Sequence, residues 1–181
     1  MVPKEPSADP SVPSPTAPHT YSVPPRRILV GYEGDDRSGP AWHVALEIAQ
    51  QHGSDLWVLH LIDLLHDAVA RMNESERASM VRVNLERFQP LVAEGAEVGV
   101  RATLLVELGH PAERLAAKCS ELKADLVVLG TTQHGALVNW LVEEVSAKVV
   151  PKVHVPVLLV PSHLARPKPH TSGQDGAVRR G

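Results

Sequence analysis

The chain has little with which to staple or stack a fold. One cysteine, Cys119, stands in 181 residues, so an internal disulfide is excluded and a reducing compartment is expected. Aromatic residues make up only 3%, which leaves Val, Leu, Ile and Ala to build any core. No apolar run approaches the about 18 residues that a membrane span needs, and the N-terminus lacks the apolar stretch of a signal peptide. A soluble cytoplasmic protein without membrane contact is therefore expected. The formal charge is -3 and no basic stripe crosses the body, so nucleic acid is not an expected partner.

Chemistry-bearing motifs are also scarce. Among ten histidines, His43, His52, His60, His66, His110, His134 and His154 show neither HxxxH pairing nor Cys/His ligand spacing, and no metal site is expected. There is no G-x-G-x-x-G, no Walker A loop and no G-x-S-x-G elbow. With no nucleophile set beside a base, the chain does not read as an enzyme. Cys119 falls at helical spacing with Ala112, Leu115 and Ala116, which makes it a core residue rather than a reactive thiol.

What is present is 43% hydrophobic residues, enough for one domain of ordinary size, flanked by two tails. Half of the 16 prolines fall in residues 1–25, where Ser and Thr are common and apolar periodicity is absent. That segment is expected to be disordered or polyproline-like. Residues 163–181 carry four Lys/Arg against one Asp and are expected to form a disordered basic tail.

Between the tails, in residues 26–162, β-branched runs alternate with helical patterns. The expected strands are "RRILVGY" (26–32), "DLWVLHLI" (55–62), "VGVRATLLV" (98–106), "ADLVVLG" (124–130) and "VPVLLVP" (155–161). Alternation of this kind predicts an α/β fold with a mostly parallel, helix-covered sheet. A first helix is expected after Ser38, with Pro40 early, Ala41, Ala45, Leu46, Ile48 and Ala49 inward, and Gly53 as its end. A second spans about 66–94 with Val69, Met72, Met80, Val83, Leu85, Phe88 and Leu91 on mixed faces, and Pro90 should kink or end it. A third follows in "HPAERLAAKCSEL".

"ILVGYEG", "GSDLWVLHLI", "ELGHPAERLAAKCSELKADLVVLG" and the closing "VSAKVVPKVHVPVLLVP", in that order, resemble the universal stress protein family over residues 26 to about 161. The resemblance implies a five-stranded adenine-nucleotide hydrolase-like fold with strand order 3-2-1-4-5, commonly dimeric. Family members that bind ATP have a loop of the form G-x2-G-x9-G-[ST] after the fourth strand. Glycines there admit backbone amides to phosphate oxygens, and the hydroxyl adds a donor. On this chain the four positions are Gly130, Gln133, Glu143 and Glu144, so one of four matches. The resemblance also puts an acidic residue at the adenosine pocket after the first strand, and here it is Glu33 rather than Asp.

Glu143 and Glu144 place carboxylates where a triphosphate would sit. Two unit charges ~4 Å apart repel by about 1 kcal/mol in water and by about 4 kcal/mol at an effective dielectric near 20. A net ~3 kcal/mol would cost roughly a hundredfold in affinity. The chain therefore reads as a dimeric, protein-contacting stress-response factor that uses no cofactor and does not depend on ATP. "VPVLLVP" is the expected homodimer edge, because an apolar edge strand invites aggregation unless it is paired. The alternative is a sensor that holds ATP or AMP, with Gly130, Gln133 and His134 near the phosphates and Mg2+ on the two glutamates. Trp140, with Leu137, Leu141 and Val145, suits core packing or a partner surface.

Overall fold

A computed structural model of the protein describes residues 23–34, 39–64, 67–131 and 153–161. Along the chain it places β1 (Arg27–Gly31), α1 (Gly39–His52), β2 (Asp55–Asp63), α2 (Asp67–Ala70), α3 (Glu74–Glu97), β3 (Ala102–Gly109), α4 (Pro111–Glu121), β4 (Leu126–Thr131) and β5 (Val157–Pro161). The strands form one sheet in the order β3-β2-β1-β4-β5, and every neighbouring pair is parallel. This is the order that the resemblance implied.

Successive residues of a strand point to opposite faces, and both faces of this sheet are covered. Ile28 and Val30 of β1, with Val58 and Val128, face α1 through Ala41, Trp42, Ala45 and Ala49. Leu29, with Leu59, Val127 and Leu129, faces α4 through Ala112, Leu115, Ala116 and Cys119. Ala41, Ala45 and Ala49 recur every fourth residue and are fully buried, so α1 lies close on the sheet. Burial pushes the Cys119 thiol up to about 11, which keeps it neutral and inert, as expected of a core residue.

Among the described residues two polar side chains lie in this interior, and each has partners. Asp125 accepts from the backbone N–H of Arg26 at 3.0 Å and of Arg27 at 2.9 Å, while Ser54 Oγ donates to the Pro25 carbonyl at 2.6 Å. Trp42 Nε1 donates to Glu94 Oε2 at 2.7 Å and ties α1 to α3. On the opposite face, Glu107 of β3 accepts from Arg114 Nε at 2.9 Å and pairs with Lys118 Nζ at 2.7 Å. Burial tends to raise the Glu107 pKa, but the bonds from Lys118 and Arg114 outweigh it and hold the carboxyl below its usual value.

The second helical region differs from expectation in two ways, its division and its end. It is divided, because Asn73 caps α3: its side chain accepts from Glu76 N–H at 3.0 Å, and Glu76 returns the bond to Asn73 N–H at 2.8 Å. Pro90 does not end the helix, which runs on to Glu97. Pro90 and Glu86, whose carbonyl loses its helical donor, are both exposed, while Phe88 and Gly95 are held on the inner side. Its apolar residues lie on mixed faces, as expected, with Phe88 5% exposed and Val83 52% exposed.

β3 begins at Ala102 rather than at Val98, because the residues between serve to close α3. Gly99, at φ +76°, donates to Ala96, and Val100 N–H reaches back to the Gly95 carbonyl at 2.8 Å. This is the Schellman closure that favours glycine at its left-handed position. α4 closes the same way, with Ala124 N–H on the Cys119 carbonyl at 2.9 Å, but Lys123 holds the left-handed position at φ 50°. A side chain is strained there. Lys123→Gly should therefore stabilise the protein by about 0.5–1 kcal/mol, read as a higher urea midpoint at unchanged m-value.

Candidate functional site at the carboxyl edge of the sheet

In an open parallel sheet the ligand crevice lies outside the carboxyl ends of the strands, where successive connections leave in opposite directions. Here β1 leads towards β2 on one side, β4 leads towards β5 on the other, and the two are neighbours. The switch point therefore falls between their ends. Gly31 pairs with Leu129, and Gly130 follows directly in β4. A Cβ on Gly31 would stand 2.6 Å from Leu129 Cδ2, so glycine keeps the two strand ends close.

Beyond Gly31 the chain turns through Tyr32, Glu33 and Gly34. Tyr32 N–H donates to the Leu59 carbonyl at 2.9 Å, extending the ladder past the strand. His60 Nδ1 donates to the Tyr32 carbonyl at 2.8 Å, so the ring is held as the tautomer with its proton on Nδ1. Phe88 reaches over from α3. Its ring meets Tyr32 edge-on at 5.4 Å between centroids and lies 4.8 Å from the His60 ring. Arg87 Nη2 donates to the Gly34 carbonyl at 3.0 Å, and its guanidinium stands 5.1 Å from the Phe88 ring centre.

The expected residues are thus brought together only in part. Glu33 is exposed on the turn after β1 and Gly130 lies at the end of β4, so the structure puts both at the same edge. Gln133, His134, Glu143 and Glu144 lie outside the described residues, as do Trp140 and the tails at 1–22 and 162–181. Tyr32, His60, Arg87 and Phe88 were not expected at this edge. One signal was available: Phe88 is the single phenylalanine of the chain. His110 caps α4 at the same end of the sheet without a side-chain cap bond. Among the described residues no cluster of three or more His, Cys, Asp and Glu could hold a metal ion, and no helix is long and apolar enough to cross a membrane.

The model of the universal stress protein family matches residues 24–161. The chain belongs to that family. A relative described as the universal stress protein in the QAH/OAS sulfhydrylase 3' region of Thermus aquaticus is 36% identical over 137 residues, covering 75% of this chain and 98% of the relative. A solved family structure from Burkholderia pseudomallei superposes with a TM-score of 0.58 at 22% identity, covering 81% of this chain and 99% of that one. Another, from Archaeoglobus fulgidus in complex with dAMP, gives 0.53 at 17% identity and covers 74% and 96%. At those identities the two structures establish a shared fold.

Within this member of the family, burial pulls the His60 pKa below 6.5, the Tyr32 carbonyl bond opposes it, and the Arg87 charge adds to the lowering. The unfolded chain then takes up this proton more readily than the folded one. The contribution of His60 to stability is complete above 6.5 and is lost as pH falls through the folded value. Proton NMR should show a His60 midpoint below 6.5, and His60→Gln should lose less stability than the parent between about pH 7 and about pH 5.

Proposed function

We propose that this chain acts in the stress response as a paired protein-contact factor, is not an enzyme, and does not depend on bound ATP. The observation that carries the pairing is the position of β5 at the margin of the sheet, joined to β4 on one side, with Leu159 40% exposed. Among the described residues the outer strand Val157–Pro161 is paired on one side only, and the backbone groups of its other side are ones that a second copy can satisfy while burying its apolar side chains. Independence from ATP follows from charge, since Glu143 and Glu144 occupy positions of the phosphate loop where glycine and a hydroxyl would serve a triphosphate. Light scattering at micromolar protein should give a mass of twice 19.6 kDa, and Leu159→Lys should shift it to the monomer.

A second reading is a sensor for a nucleoside monophosphate. It is favoured by the family structure solved with dAMP, together with the placement of Glu33 and Gly130 at the same carboxyl edge of the sheet. A monophosphate brings less negative charge to Glu143 and Glu144 than a triphosphate does, so the two readings are compatible. Calorimetric titration should then order the ligands dAMP before ATP, by about tenfold or more, with Mg2+ narrowing the gap. Equal or tighter binding of ATP would remove the charge argument from both readings.

A further inference from the structure

We infer that Arg87 and Phe88 are positioning residues for the crevice: from α3 they hold the Tyr32–Gly34 turn, and with it Glu33, in the place where a nucleoside can be met. The inference rests on the nucleoside-monophosphate reading of that crevice. Its geometric basis is independent of it. The turn is gripped from two directions, by His60 on the Tyr32 carbonyl at 2.8 Å and by Arg87 on the Gly34 carbonyl at 3.0 Å. These carbonyls flank Glu33 on either side in sequence. The backbone that carries the Glu33 side chain is therefore tied at both ends, once from β2 and once from α3.

Phe88 sets the height of the turn. It is 5% exposed, and its ring fills the space under Gly34 so closely that a Cβ there would come within 2.3 Å of Cζ. Gly34 also has φ +84°, which glycine takes without strain. Phe88 packs on His60 of β2 as well as on the turn, while the helix side chains towards Asn73 are largely exposed. The α3 helix continues far enough past the sheet to deliver one aromatic ring and one guanidinium onto the turn. A ring stiff in two torsions locates a backbone more sharply than an aliphatic chain of similar bulk.

The test uses the full chain and dAMP as the probe, with affinity read by calorimetry and turn protection by amide exchange at residues 32–34. Arg87 is exposed, so Arg87→Gln should keep its melting temperature while weakening dAMP about threefold and speeding exchange in the turn. Gly34→Ala should weaken dAMP about tenfold, and adding Phe88→Leu should regain about threefold by making room for the new methyl group. A recovery of dAMP affinity with no matching recovery of melting temperature is the result which a purely structural role of Phe88 would not produce, because relief of the clash alone would restore both together. Wild-type binding of dAMP that is equal in Arg87→Gln, or losses that simply add in the double variant, would overturn the inference alone. Absence of dAMP binding by the wild type would overturn the reading beneath it as well.

Discussion

The crevice lies where it does because β1 is held in register between β2 and β4, and the grip that sets this register is at the opposite end of the strand. Asp125, 6% exposed, accepts two backbone N–H groups from Arg26 and Arg27, and its own N–H donates to the Arg27 carbonyl at 2.7 Å. On the other side, Asp55 N–H bonds the Arg26 carbonyl at 2.8 Å and Ser54 holds Pro25. A buried carboxylate left without these donors would be strongly destabilising, so one register is much preferred to its neighbours. A slip by one residue would also send Ile28 and Val30 to the face that Leu29 occupies. Gly31 and Gly130 reach the switch point together because Asp125 meets Arg26 and Arg27 at the start.

The two helical layers do different things with that frame. On one face α1 presents alanines to the sheet and lies close, while α4 on the other is oriented by Glu107, which gathers Arg114 and Lys118. α3 has 24 residues, and only Phe88 and Gly95 of it are buried. A helix rises about 1.5 Å per residue, so α3 is much longer than the strand it covers. Gly95 lets its C-terminal part sit against Ala102, where a Cβ would come to 2.9 Å. The part before it crosses the carboxyl edge and places Arg87 and Phe88 over the turn after β1. The shape of the candidate site is thus a consequence of helix length as much as of loop sequence.

Among its described residues this family member presents a sheet margin at β5 and, at the carboxyl edge, Gly130 beside a turn that carries Glu33 and that two neighbouring elements hold in place. In the reading proposed above, Glu143 and Glu144 would repel phosphate in proportion to the charge that the ligand carries.

Much of the fold was legible in the residues. β-branched runs marked all five strands within a few positions, Gly53 ended α1, and Cys119 fell in the core as its spacing implied. The misreadings have specific causes. "VGVR" looks like strand by composition, yet Gly99 and Val100 close a helix, and an isolated valine run does not reveal which backbone partner it will find. Of the two outcomes expected at Pro90, a kink or an end, the end does not occur, because Pro90 falls on the exposed side of a helix held by packing on its other face. The "NESE" capping signature at Asn73 was present in the chain and passed over.

The sequence by itself determined the fold class, the strand order through family resemblance, the two glycines at the strand ends, and the acidic departures at Glu33, Glu143 and Glu144. The fold class follows from local propensity and periodicity, which are properties of neighbours along the chain, whereas the strand order and the meaning of the acidic positions follow from the family resemblance. Only the tertiary structure decided that His60, Arg87 and Phe88 meet the turn at Tyr32–Gly34, since these contacts join residues 28 to 56 positions apart. Such contacts arise from how long a helix runs past a sheet and which of its faces turns inward, and no pattern within a short window carries that information.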